Sequence, residues 1–116
     1  ENIHYQSESN KITITHLKGM KIIEDSSIMY LEGEGNCTNL HFNDTTNFFD
    51  TRTLKIYDEI LNPNKFYRIH KKYIINLNQL TDYIHQDGYF AKLKNGEMLP
   101  VARARVTDFI NKIKSL

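Results

Sequence analysis

The sequence predicts a mostly-β domain of antiparallel sheets with two short helices. Three observations predict it. Short runs alternate polar residues with β-branched or aromatic ones, turn signals recur between those runs, and two stretches carry apolar residues at helical spacing. A chain of 116 residues has room for one domain with a modest core.

Residues 1–10 are polar, begin without Met and contain no apolar segment, so they read as a linker (1–10) ahead of the domain (11–116). Residues 11–15 alternate and predict a strand. Gly19 suggests a turn, and residues 20–24 a second strand. Asp25, Ser26 and Ser27 favour a turn or a short helical start, because their side chains compete for nearby backbone groups. Residues 28–32 hold a β-former at nearly every position. Gly33 to Asn36 should turn the chain, since glycine tolerates positive φ. Residues 37–43 alternate again, with Thr38, Leu40 and Phe42 on one side and Asn39 and His41 on the other. Residues 43–46 form the next turn.

The period then changes. Leu54, Tyr57, Ile60 and Leu61 lie at helical spacing, and Asn62-Pro63-Asn64 ends that helix. Residues 66–76 return to alternation, and residues 77–80 make a short connection. Two further strands, 81–86 and 89–94, flank Asp87-Gly88, a strong hairpin signal. Asn95-Gly96 leads into Met98 and Leu99. Val106, Phe109, Ile110 and Ile113 close the chain as an amphipathic helix.

Net charge is only +1, but it is unevenly distributed. Residues 1–60 carry five Lys/Arg against ten Asp/Glu, and residues 61–116 carry ten against four, giving −5 and +6. That polarity points to an anionic partner for the second half. Its centre is Phe66-Tyr67-Arg68-Ile69-His70-Lys71-Lys72-Tyr73-Ile74-Ile75-Asn76, where Arg68, His70 and Lys72 alternate with bulky residues. Period-two alternation reads as a strand, with one face cationic and the other apolar. The single cysteine, Cys37, cannot form an internal disulfide; that favours a reducing compartment such as the cytoplasm. A small buried hydrophobe explains Cys37 better than a redox switch. No apolar run approaches the ~18 residues of a membrane span.

Three segments together resemble the LytTR-type DNA-binding domain. Ile28-Met29-Tyr30-Leu31-Glu32-Gly33-Glu34-Gly35-Asn36 is similar to its strand-Glu-small-x-Gly-Asn signature. The 66–76 run resembles its aromatic-x-Arg-x-His-basic-x-aromatic motif, and residues 93–105 its closing segment. The likeness extends from about Ile12 to Ile113, in order and in spacing. It implies an elongated mostly-β fold whose loops and strand ends enter successive major grooves of bent double-stranded DNA, usually at direct repeats. It also implies a bacterial transcription regulator, with a receiver or membrane domain elsewhere in the protein. Three positions depart from the pattern: Cys37 where Tyr is common, Lys72 where a small Ser is usual, and Ala104 within a run that is commonly more basic. These changes bear on which DNA is read.

The resemblance assigns base contacts to Thr38 or Asn39, Lys71 and Arg103. Chemistry agrees in each case. Arg103 can hold guanine O6 and N7 with its planar fork, Lys71 suits guanine acceptors or a phosphate, Asn39 matches adenine, and Thr38 offers a hydroxyl or methyl. Arg68, His70, Lys72 and Arg105 are candidates for phosphates, which set affinity more than sequence choice. Other roles compete: Arg68 could pair with Glu32 or Glu34, His70 could order a turn, and Asn36 and Asn76 could brace backbone. An enzyme is disfavoured, since His41, His70 and His85 are scattered and no His-x-His, His-Glu-x-x-His, Gly-x-Ser-x-Gly or phosphate loop occurs. No cofactor, metal or small-molecule substrate is expected. The other open reading is a basic patch for a protein or membrane surface without DNA specificity. The domain alone is expected to be monomeric.

Overall fold

The computed structural model describes residues 3–6 and 10–116. Three antiparallel sheets stack along a body of 45 × 30 × 25 Å. The N-terminal sheet comprises β1 (Ile3–Gln6), β2 (Lys11–His16) and β3 (Gly19–Glu24). The central sheet contains β4 (Ile28–Glu34), β5 (Cys37–Phe42), β6 (Asn47–Asp50), β7 (Phe66–His70) and β8 (Tyr73–Asn76), in the order β6-β5-β4-β8-β7. The C-terminal sheet is β9 (Leu80–His85), β10 (Tyr89–Leu93) and β11 (Met98–Pro100). Helix α1 (Leu54–Ile60) lies between β6 and β7, and α2 (Val106–Lys114) closes the chain.

The middle of the central sheet is buried on both faces. One face sends Ile28, Leu31, Leu40, Phe66 and Ile74 into a core with Ile12, Ile14 and Ile23 of the N-terminal sheet and Leu54 and Tyr57 of α1. The other sends Met29, Tyr30, Ile69 and Ile75 against Ala91, Leu93, Leu99 and Phe109. Strand β4 serves both cores, so Ile28, Met29, Tyr30 and Leu31 are all buried, and a register shift between Ile28 and Tyr30 breaks the alternation. Tyr30 also spans the layers: its hydroxyl donates to Glu97 Oε2 at 3.0 Å, and burial together with that carboxylate pushes its pKa well up.

Most predicted elements form where the period and turn residues placed them. Asp87, at φ 55°, and Gly88 make the tight turn between β9 and β10. Four differences matter. Ile3–Gln6, within the stretch read as linker, pairs with β2 in the register Ile3↔Ile14, and Ile3 packs on the first core. Residues 1, 2 and 7–9 of that stretch lie outside the described residues. Strand β4 runs on to Glu34, so the turn narrows to Gly35 and Asn36, with Gly35 at φ 62°. Strand β6 has no counterpart among the predicted elements. Finally, residues 66–76 are not one strand but the β7–β8 hairpin, with Lys71 and Lys72 as its loop.

That last difference removes the single cationic face. Arg68 pairs with Ile74 and His70 with Tyr73, leaving Ile69 as a bulge. Cross-strand partners share a face, and a one-residue bulge reverses the alternation. Arg68 therefore lies on the α1 side, near Asp58, while His70 lies on the opposite side beside Tyr73, their rings 5.8 Å apart.

A buried polar node ties the layers together at the end where β6 leaves the sheet. Arg52 Nη1 donates to Asp50 Oδ1 at 2.8 Å and Nη2 to the Thr15 carbonyl at 2.8 Å. The Tyr57 hydroxyl donates to Asp50 Oδ2, and Thr38 Oγ1 donates to the Arg52 carbonyl at 2.8 Å. Arg52 and Asp50 are both buried, so neither charge has bulk water in reserve. Arg52→Met should therefore cost about 3–5 kcal/mol in urea unfolding, by stranding the Asp50 carboxylate. Adding Asp50→Asn to that variant should recover part of the loss, because it removes the stranded charge.

Candidate nucleic-acid interface

Strand direction decides which turns share an end of the central sheet. Strands β4 and β7 run toward the end at which β5 and β8 begin. The Gly35-Asn36 turn and the Lys71-Lys72 turn therefore project side by side. A main-chain bond from Gly33 N to the Lys72 carbonyl, 2.8 Å, fastens one to the other. The third segment arrives from the C-terminal sheet: Ala102 N donates to the Ile69 carbonyl at 2.8 Å, which sets the 3-10 turn Arg103–Arg105 beside the end of β7. Three stretches distant in sequence thus meet at one end. Gly33 itself is constrained by packing, since a Cβ there would come within 3.4 Å of the Leu54 side chain.

The cationic residues at this end divide into two groups. Lys71, Lys72 and Arg103 are exposed. The Arg103 guanidinium stands over the Tyr89 ring, 5.8 Å from its centroid, which orients it. Arg68, His70 and Arg105 are half-buried and turned inward. Arg68 donates through Nε to the His70 carbonyl (3.3 Å) and through Nη2 to the Lys71 carbonyl (2.6 Å), and it lies 3.7 Å from Asp58. Asp58 takes the place of Glu32 or Glu34 as its acidic partner; Glu32 instead meets His41 at 3.1 Å. His70 Nδ1 accepts from Lys72 N at 3.1 Å, and Arg105 Nη1 donates to the Arg68 carbonyl at 3.2 Å. These three side chains brace the lysine turn.

The two β5 candidates differ sharply. Thr38 is fully buried and its hydroxyl is bonded to the Arg52 carbonyl, so its side chain cannot reach a base in this fold. This corrects the expectation for Thr38. Asn39 lies half-buried on the opposite face, with Oδ1 accepting from Asn47 Nδ2 at 2.8 Å. Its cross-strand neighbour Phe49 is 52% exposed. Sequence reasoning missed Phe49 because β6 is four residues long and lacks a clear period. It also missed Lys55, an exposed residue on the outer side of α1 that lines a shallow groove with Gly35, Thr53, Lys71 and Lys72. Lys65, which extends the basic run in sequence, is engaged elsewhere, with Asp25 at 3.2 Å. Glu34 stands exposed beside the Gly35 turn.

Among the described residues no cluster of His, Cys, Asp or Glu could hold a metal ion, and no helix is long and apolar enough to cross a membrane. Comparison with known proteins supplies an independent line. The family model described as the LytTr DNA-binding domain matches residues 18–114. Among solved structures, the chain is similar to the LytTr DNA-binding domain of a protein described as a methyl-accepting/DNA response regulator from Bacillus cereus. The TM-score is 0.75 at 21% identity, over 90% of this chain and 96% of that one. No curated protein matches.

The lysine turn has a measurable electrostatic consequence. Burial, then the charges of Lys71, Lys72, Arg105 and Arg68, hold the His70 pKa below the ordinary 6.5. His70 is therefore neutral at pH 7, which leaves Nδ1 free to accept from Lys72. Because the folded value is the lower one, this site favours folding above pH 6.5 and loses that contribution as pH falls below it. An NMR titration should place its midpoint below 6.5 in the free protein, and Lys71→Ala should move the midpoint upward.

Proposed function

The chain belongs to the LytTR DNA-binding domain family, and from that premise we propose that it recognises specific duplex sequences as the output domain of a bacterial transcription regulator. The observation that carries this reading is the meeting of three segments at one end of the central sheet, held by the Gly33–Lys72 and Ala102–Ile69 main-chain bonds. A receiver or membrane module elsewhere in the protein would supply the signal, as the response-regulator description of the similar Bacillus cereus structure suggests. The domain acts by binding, without catalysis.

Turns on a rigid end can enter a major groove, which admits protein elements and displays a distinct pattern for each base pair. Arg103, oriented by Tyr89, is suited to guanine O6 and N7. Lys71, at the tip of its loop, is a point charge for guanine acceptors. Asn39 is suited to adenine if its amide exchanges Asn47 for the base. Lys72 neutralises phosphate. Arg68, His70 and Arg105 contribute mainly by fixing the loop, and Arg68 and Arg105 add positive field at the same place. Two copies on successive repeats would place two such ends on one face of the duplex, about 34–36 Å per helical turn apart.

Selection from random duplexes should enrich a defined element, with direct repeats in longer targets; recovery of no consensus would refute sequence recognition. On that element, with roughly five phosphates neutralised by the cations of this end, log K against log salt should slope at about −4 to −5. Arg103→Ala should cost about 1–3 kcal/mol and relax preference at one base pair, whereas Lys72→Ala should weaken all sequences alike. An equal loss on every sequence for Arg103→Ala would remove it from base reading.

A further inference from the structure

The β2–β3 hairpin ends in His16, Leu17 and Lys18, and Leu17 is fully exposed (102%). A leucine held wholly in water at a loop tip does nothing for the core. Beside it lie Lys18, also exposed, and a groove lined by Leu17, Phe49 and Thr51. The tip has a defined position. Arg52, anchored on Asp50, holds the Thr15 carbonyl at 2.8 Å, and His16 Nδ1 accepts from Lys18 N at 3.4 Å. Residues 51–53 leave β6 at the end of the sheet that carries Gly35, Lys71 and Lys72, since Thr38, near the start of β5, pairs with Asp50. The groove under the hairpin reaches Thr51 and Arg52, and the groove between Lys55, Lys71 and Lys72 begins at Thr53. The tip thus extends the cationic end of the molecule on its N-terminal side.

We propose that His16, Leu17 and Lys18 form a further DNA-contacting element, with Lys18 on a backbone phosphate and Leu17 against the sugars and base edges of the neighbouring groove. The inference rests on the reading that the cationic end binds duplex DNA. Dimensions agree with it. Stacked sheets lie about 10 Å apart, so a tip on the first layer and Arg103 beside the third are separated by about 20 Å, less than one helical turn. Apolar side chains such as leucine are used by DNA-binding proteins against groove walls and base steps, where they lose water without needing a hydrogen-bond partner. A lipid surface could also bury Leu17, but continuity with Lys55, Lys71 and Lys72 favours the polyanionic duplex.

The test uses the selected duplex, in full length and shortened on the flank nearest the tip. Lys18→Ala should weaken binding about threefold and reduce the magnitude of the salt slope by about one. Leu17→Ser should weaken it about three- to tenfold with the slope unchanged, consistent with lost apolar burial. Both losses should vanish on the shortened duplex, and unaltered urea midpoints would show that folding is intact. Wild-type affinity for both variants on the full-length duplex, with Lys71→Ala still impaired, would overturn the tip contact while leaving the DNA reading standing. Binding of the wild type to phosphatidylglycerol vesicles, abolished by Leu17→Ser, would overturn it in favour of a membrane surface. Lys71→Ala binding as well as wild type would instead strike at the DNA reading itself.

Discussion

The middle of the central sheet is covered on both faces, and the rest of the architecture follows from that constraint. From Ile28 to Leu31, β4 has no solvent side: Ile28 and Leu31 enter one core while Met29 and Tyr30 enter the other. Each of these side chains contributes on the order of 1.5–3 kcal/mol by leaving water, so neither covering sheet can be removed without exposing a large apolar surface. A sheet clad in this way across its middle leaves to a ligand its β5–β6 margin, where Asn39 and Phe49 are accessible, together with its edges and its ends. The turns at one end carry Lys71, Lys72 and Gly35, with Arg103 alongside, which is where the proposed function falls.

An exposed cationic loop on such an end must still be held in shape against its own repulsion. The structure does this with acceptors drawn from the backbone. Arg68 gathers the His70 and Lys71 carbonyls, Arg105 takes the Arg68 carbonyl, and His70 stays neutral and accepts from Lys72 N. Protonating His70 would cost that last bond and add a charge among four others. Burial first, and then those four charges, hold its pKa below the ordinary value. The same residues thus stabilise the loop and set its potential, which explains why a high local charge density coexists with a well-defined turn.

The elements were largely legible because most are announced by local chemistry. Asp87-Gly88, Asn62-Pro63 and the helical spacing of Leu54, Tyr57 and Ile60 act within a few residues. What was illegible depends on tertiary partners. The bulge at Ile69 exists because Ile69 fills the second core, and no period signals it. Strand β6 is four residues held by β5, and Ile3–Gln6 becomes a strand only through β2. The candidate site shows the same division. Arg103 and Lys71 emerged exposed, whereas Thr38 is buried. The alternation sets Thr38 on the side of Leu40 and Phe42, so its burial is implicit in the pattern, whereas a base contact there rests on the family resemblance alone.

The separation of braces from tips has a consequence for how such a domain can change its target. The side chains that shape the lysine loop bind main-chain atoms: carbonyls of His70, Lys71 and Arg68, and the amide of Lys72. None of these bonds depends on the identity of the side chain at 71 or 72. Substituting either tip residue keeps these bonding groups, since every residue has a carbonyl and every residue except proline an N–H. Lys72, where the family more often carries a small Ser, is such a case: a long cation stands on a turn whose shape is set by its own amide and by Arg68 and His70. The shape of the hairpin and its exposed cations are therefore encoded in different atoms, and the proposed DNA contacts can drift at the tips while the brace stays fixed.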